Sequence, residues 1–452
     1  MENNPLTEEI QLERIHYLIR NDKVLVIDRI TGRWVMLPRE VEIILPLVGN
    51  DLAFLQNQNI KDRLSELNQI LTERGIGIDL PKVNEELNTV ILKLTKACNL
   101  ACTYCYDYEP EDKARHMEKS MALETIYQSI DLCSGKINFI LHGGEPMLVW
   151  DLIEELVISA EEYAKEKNVK IQFIGQTNLT RVDQRKIYFS EQHDIRWGVS
   201  FDGMANLNDK YRVKHNGNGS YDTMMEMISL YPAFISTTNA LSTITSANQD
   251  HLLEIASHVK ELGFSGWDWT LFQAIGRGRN ATEFDIDIDK LIFAWDQLFD
   301  AILEGKFTEF AINPVLKYLN NFIDGPVDNM CMRSKCGAGR DLLSVTFDGV
   351  IEACDCIDPC GSLSNLGNMK SSSLLEAKNS EKANLIRSRQ VESLQCGSCM
   401  WQAVCGGTCL ARAGGIEEIS EHECMLSMHI FDRISNSLST STVLINYKKS
   451  CD

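Results

Sequence analysis

The spacing of apolar residues changes twice along the chain. Near the start, residues 23–27 (Lys-Val-Leu-Val-Ile) and 34–37 (Trp-Val-Met-Leu) are short apolar runs separated by Thr31-Gly32, which predicts a hairpin. Leu52, Leu55 and the apolar positions of 64–71 then recur at helical spacing until Gly75 and Gly77 interrupt them. A small, winged-helix-like β+α module is therefore expected over residues 1–82. From residue 89 the pattern becomes short apolar runs at 89–94, 137–141, 170–174, 196–200, 234–242 and 266–272. Amphipathic stretches such as 123–133, 152–165 and 251–262 lie between them. Alternation of this kind predicts βαβ units in a parallel sheet, and six units make a partial (β/α)6 TIM-like barrel over residues 83–310, an α/β fold. Beyond Asn329 the rhythm gives way to cysteine-rich loops with a strand at 342–347, so metal is expected to hold residues 311–440 together. The Ser/Thr-rich end reads as a helix terminus followed by a loose tail at 441–452.

Composition narrows the function classes. The 452 residues suit two or three domains, and 64 acidic against 44 basic residues give a formal charge of −20. That charge repels phosphate backbones and anionic membranes, so neither nucleic acid nor membrane is an expected partner. No run reaches the roughly 18 apolar residues of a membrane span, and the polar start lacks the pattern of a secretory signal. A cytoplasmic, reducing location follows as the expectation. There, 15 cysteines point to metal or catalysis rather than disulfides.

Three of the cysteines are Cys98, Cys102 and Cys105, in C-x3-C-x2-C spacing directly after the first barrel strand. Three thiolates hold three irons of a [4Fe–4S] cube and leave the fourth open to a chelating ligand. A zinc site completed by a distant histidine fits the spacing too. Context favours the cluster, because reactive groups of such barrels come from the C-terminal ends of the strands. The second strand ends in His142-Gly143-Gly144-Glu145-Pro146, the third in Gln176-Thr177-Asn178 and the fourth in Ser200-Phe201-Asp202-Gly203. The paired glycines would let backbone carbonyls approach a bound ammonium.

Together these elements resemble the radical S-adenosylmethionine (SAM) superfamily over roughly residues 89–300. The resemblance implies that the open iron binds the amino and carboxylate groups of SAM, whose reductive cleavage yields a 5′-deoxyadenosyl radical. It further implies Tyr104 near the adenine, Gly143, Gly144 and Glu145 near the amino group, and Gln176 and Asn178 near the ribose. Ser200 would lie near the carboxylate, with Arg212 as a second candidate or else a surface ion-pair residue.

Downstream, Cys336-x12-Gly349-x4-Cys354 is followed by Cys396-x2-Cys399-x5-Cys405-x3-Cys409 and by Cys424. Any one short spacing would suit a zinc knuckle, but the whole set resembles the SPASM domain of peptide-modifying radical SAM enzymes. That resemblance implies two auxiliary [4Fe–4S] clusters, three clusters in all. The first would use Cys331, Cys336, Cys354 and Cys409, and the second Cys396, Cys399, Cys405 and Cys424. Cys356 and Cys360 have no place in the pattern; each either replaces a predicted ligand or remains an unused thiol, the second being the expectation. Asp355 matches the position of a catalytic base in the related anaerobic sulfatase-maturating enzymes, and otherwise reads as a solvated loop residue. Gly276-Arg277-Gly278-Arg279 is similar to a segment of thioether-forming peptide maturases.

The N-terminal module resembles the leader-recognition elements of peptide maturases, where an exposed strand accepts an extended peptide. The expected function is therefore that of an oxidoreductase installing a thioether or carbon–carbon crosslink in a ribosomally made precursor peptide, with flavodoxin or ferredoxin as electron donor. The rival readings are a formylglycine-forming sulfatase maturase and a non-catalytic iron–sulfur or zinc scaffold that binds a peptide.

Overall fold

The computed structural model describes residues 12–48, 55–79, 86–107, 115–325, 331–332 and 336–451. Leu52 of the expected first helix and Asn329 lie outside them. The architecture is α/β with one large, mostly parallel sheet.

Three strands, β1 (Ile15–Arg20), β2 (Lys23–Asp28) and β3 (Trp34–Pro38), form an antiparallel sheet in the order β1-β2-β3. The expected hairpin is β2–β3, with Val26 opposite Val35. Its neighbour β1 is an addition: Asn21, at φ +56°, makes the tight turn that pairs Arg20 with Lys23. The helix Gln58–Glu73 is capped by the Asn57 side chain and buries Leu64, Leu67 and Leu71 against Val24, Val26 and Leu37 in a core of its own. Arg14 and Asp28, both buried, pair at 2.9 Å beneath it.

The large sheet begins with β4 (Thr89–Thr95), β5 (Lys136–Gly143), β6 (Lys170–Thr177), β7 (Arg196–Ser200), β8 (Asn239–Ile244) and β9 (Gly266–Leu271). These six are parallel neighbours in chain order, and β10 (Ala311–Ile312) extends the β9 edge. Helices such as Lys119–Leu132, Trp150–Lys167 and Leu252–Glu261 return the chain between them. Every residue of β4 is buried, as expected of a parallel strand covered on both faces.

Two boundaries differ from expectation. The run 234–242 starts too early, because Pro232–Ile235 is a helical turn that buries Phe234 and Ile235 before β8 begins. Burial alone does not distinguish a turn of helix from a strand over so few residues. The expected loose tail is the helix Val443–Cys451. Its Tyr447 hydroxyl accepts from the Ile312 amide at 2.8 Å and donates to the Phe310 carbonyl at 3.0 Å, which fastens the chain end to β10.

On the other side of β4, strand β11 (Leu342–Val345) pairs with it in parallel, and β12 (Val350–Glu352) and β13 (Gly367–Asn368) follow antiparallel. Residues of this region, among them Leu343, Val345, Trp401 and Val404, share one core with the barrel.

Candidate active site

The loop after β4 carries Cys98, Cys102 and Cys105, and neighbouring chain segments pin it. The amides of Ala101 and Thr103 donate to the Val213 and Tyr211 carbonyls at 2.7 and 2.9 Å. Arg277 Nη1 donates to the Cys102 carbonyl at 2.7 Å, and its own amide donates to the Cys105 carbonyl at 2.9 Å. The Gly276–Gly278 turn thus braces the loop, with Gly276 at φ +58° and the space for its Cβ already filled by the Cys105 and Tyr106 carbonyls. From β5, the Gly144 and Glu145 amides donate to the Thr95 and Ala97 carbonyls at 2.6 and 2.8 Å. A Cβ on Gly143 or Gly144 would collide with those same carbonyls. The paired glycines thus let the end of β5 pack closely against the thiol loop.

The three thiols lie within electrostatic reach of one another. Burial pushes the Cys98 and Cys105 thiols up to about 12 and raises that of Cys102. Neutral thiols are stable there until a metal displaces their protons. Around them sit the other candidate residues. The Glu145 carboxylate, itself buried, accepts from the Met147 amide at 3.1 Å, the Thr177 hydroxyl at 2.7 Å and the Asn178 amide at 2.7 Å. Asn178 Nδ2 lies 3.8 Å from Cys98 Sγ and 3.0 Å from Asn99 Oδ1. Gln176 Nε2 donates to the Ser200 hydroxyl at 3.0 Å, joining the ends of β6 and β7. Tyr104 is buried, donating to Asp202 Oδ2 at 2.5 Å and accepting from Arg212 Nη1 at 2.9 Å.

Arg212 tests whether these residues suit a cluster with bound SAM. Its guanidinium is buried beside Cys102, and its Nε has no hydrogen-bond partner among the described residues. An orphaned buried donor next to three thiols suits an anionic ligand, either thiolate sulfur or a carboxylate. The donor set therefore fits.

A second group of side chains faces this loop. Tyr106, the residue after Cys105, donates to Asp355 Oδ2 at 2.9 Å, and its oxygen lies 3.3 Å from His142 Nε2. His142 Nδ1 accepts the Gly143 amide at 2.8 Å, which assigns the proton to Nε2 in the neutral ring. Burial lowers the His142 pKa against the pull of Asp355 and Asp107, favouring that neutral form. Hydrogen bonds thus run from His142 through Tyr106 to Asp355. Burial opposes the charge on Lys93 of β4, but Asp107, Glu352 and Asp355 outweigh it and raise its pKa. Tyr106, His142, Lys93, Asp107 and Glu352 were not singled out from sequence. Only the His142-Gly-Gly run and the proximity of Tyr106 and Asp107 to Cys105 hinted at them.

The C-terminal cysteines form two groups. Cys331 is within electrostatic reach of Cys409, Cys336 and Cys356, and Cys354 is within reach of Cys356 and Cys331. Cys396 has Cys405, Cys424 and Cys399 as neighbours. Cys356, expected to be free, joins the first group: its sulfur, that of Cys354 and a carboxylate oxygen of Asp355 lie within 4.8 Å of one another. Cys360 is exposed. Burial pushes Cys396 and Cys409 up to about 11.

Comparison with known proteins agrees with this geometry. Residues 92–281 match the model of the Radical SAM superfamily. The cysteine-type anaerobic sulfatase-maturating enzyme of Clostridium novyi (strain NT) is 25% identical over 346 residues, covering 72% of this chain and 88% of that protein. The serine-type enzyme of Bacteroides thetaiotaomicron is 24% identical over 351 residues, covering 72% and 82%. Among solved structures, native anSMEcpe with bound AdoMet and Kp18Cys peptide has a TM-score of 0.69 at 21% identity, over 80% of this chain and 99% of that one. Streptococcus suis SuiB bound to precursor peptide SuiA has a TM-score of 0.57 at 13% identity, over 91% and 98%. At such identities the structural likeness speaks for the fold.

Proposed function

Proceeding from the Radical SAM domain that residues 92–281 form, we propose that this enzyme modifies a ribosomally synthesised peptide by installing a thioether or carbon–carbon crosslink. Cys98, Cys102 and Cys105 would hold a [4Fe–4S] cluster, whose chemistry on bound SAM would supply the radical. The observation that carries the reading is the convergence of three thiols and the orphaned Arg212 Nε on one side, with Asp355, held by Tyr106, facing the same loop. When loaded, the site would supply the 5′-deoxyadenosyl radical to take one hydrogen atom from the peptide, and the auxiliary clusters would accept the electron that crosslinking releases. Asp355 takes up the proton released on crosslinking, oriented by the Tyr106 hydroxyl and, through it, by His142.

Arg212 and Ser200 bind the SAM carboxylate, Gly143, Gly144 and Glu145 flank its amino group, Gln176 and Asn178 its ribose, and Tyr104 its adenine. Two auxiliary [4Fe–4S] clusters, on Cys331, Cys336, Cys354 and Cys409 and on Cys396, Cys399, Cys405 and Cys424, are suited to electron transfer. A flavodoxin or ferredoxin supplies the reducing electron. The precursor's leader binds the N-terminal sheet, where β1 pairs only with β2 among the described residues and exposes Tyr17 and Ile19.

Formylglycine formation on a sulfatase is the second reading, and the sequence relatives favour it. The fold likeness is common to both: SuiB aligns over 91% of this chain at a TM-score of 0.57 and anSMEcpe over 80% at 0.69.

Anaerobic reconstitution with iron and sulfide, followed by dithionite reduction with SAM, tests the common core. About twelve irons per chain and release of 5′-deoxyadenosine are expected. Full iron loading without 5′-deoxyadenosine would overturn it. Co-expression with a neighbouring precursor gene then separates the readings. Loss of two hydrogens with no hydrazide-reactive aldehyde marks a crosslink, and a trapped aldehyde marks formylglycine.

A further inference from the structure

Neither cluster binding nor SAM binding requires the buried charges around Lys93. Its ammonium lies 3.0 Å from Glu352 Oε2, 3.2 Å from Asp107 Oδ1 and 3.4 Å from the Asp355 carbonyl oxygen. Lys96 also grips Asp107, at 3.1 Å to Oδ1 and 3.2 Å to the carbonyl. Ser344 donates to Glu352 Oε2 at 3.0 Å. Lys93, Asp107 and Glu352 are all buried.

The placement of the two acids gives the cluster its meaning. Asp107 stands two residues after Cys105, and Glu352 two residues before Cys354. A single side chain, rooted in the central strand β4, therefore holds the chain on both sides of the gap between the SAM-site loop and the Asp355 loop. It also contacts Asp355 through the backbone, leaving that carboxylate to Tyr106. Burying an ion pair costs several kcal/mol per ion before attraction repays it, so apolar packing serves stability at least as well. Ile91, buried on the same face of β4 as Lys93, shows that this face accommodates apolar side chains. A three-way contact gives what apolar packing does not, a defined distance and direction between two loops.

We infer that Lys93 is a positioning residue that fixes Asp355 against the Cys105–Tyr106 edge of the radical site. The inference rests on the proposed radical chemistry for its functional consequence, though not for its geometry.

Lys93→Met alone strands a buried carboxylate and can unfold the protein. The paired variant Lys93→Met/Glu352→Gln removes one charge of each sign and keeps the Lys96–Asp107 pair, so it is the variant of choice. Two measurements are made on the reconstituted protein. Amide hydrogen exchange is expected to speed up at 353–357 and to stay unchanged in β5 to β7. With a precursor peptide that the unaltered enzyme modifies, product formed per 5′-deoxyadenosine is expected to fall about tenfold or more, as small misplacements of a catalytic group do. Lys93→Arg should recover most of that ratio. Unchanged exchange at 353–357, or an unchanged product ratio, would overturn the inference. If the unaltered enzyme cleaves no SAM, the functional reading fails and hydrogen exchange still decides the positioning claim.

Discussion

The loop of Cys98, Cys102 and Cys105 and the cysteine-rich region from 331 to 424 both gather thiols, but they are built differently. The first is held by protein contacts on several sides: backbone bonds to Val213 and Tyr211, the Arg277 brace and the Gly144 and Glu145 amides. The second is assembled from fragments, including the four-residue helices Gln402–Cys405 and Leu410–Ala413 and the two-residue strand β13. Such pieces do not support themselves. Lesson: a catalytic cluster that must keep one iron free needs a rigid cradle, whereas closed clusters can act as the staples of a fold.

The largest expected effect lies at the cradle. Replacing Cys98, Cys102 and Cys105 together with Ala should reduce 5′-deoxyadenosine release to background, measured by chromatography after dithionite reduction. If the cradle is preformed, the melting temperature of the metal-free protein should shift by no more than about 2–4 °C, equivalent to about 1 kcal/mol. A larger drop would break the contrast between the regions. Next, replacing Cys396, Cys399, Cys405 and Cys424 with Ala should lower the melting temperature of the reconstituted protein by on the order of 10 °C, since metal binding there is folding energy. Limited proteolysis should then cut within 390–424, and resistance equal to the unaltered protein would show that the fragments hold without metal.

The smallest effect is one of slope. Burial holds Cys98 and Cys105 at about 12, and Cys396 and Cys409 at about 11, so all four are protonated thiols near neutrality. Metal binding needs thiolates, so each ligand loses a proton on loading, and affinity rises with pH and falls as pH drops. Three thiols release fewer protons than four. Iron retention against a chelator between about pH 6.5 and 8.5 should therefore fall less steeply for the cradle than for an auxiliary site. Equal slopes would point to a fourth thiol in the cradle.

Legibility followed the range of the forces involved. Strands β4 to β7 and β9 were readable because each is an apolar run between turn signals, and the thiols were readable because ligand spacing is local. Strand β1 was not, since Tyr17 and Ile19 are exposed, the other residues are only partly covered, and Leu18 between them breaks any apolar–polar alternation. The helix Val443–Cys451 was hidden because its order comes from Tyr447 reaching Phe310 and Ile312, far away in sequence. Within the site, Lys93 read as an ordinary strand lysine. Its partner Asp107 lies beyond the thiol loop and Glu352 in β12, far along the chain, and no periodicity records such a meeting.

The four ladder pairs from Leu342 opposite Thr89 to Val345 opposite Leu92 make β11 part of the barrel's own sheet. A region joined this way cannot swing aside like a hinged cover without tearing the backbone ladder of β4, the strand that leads into the thiol loop. The thiol loop and the cysteine-rich region therefore share one continuous backbone ladder, so a shift of either is felt by the other.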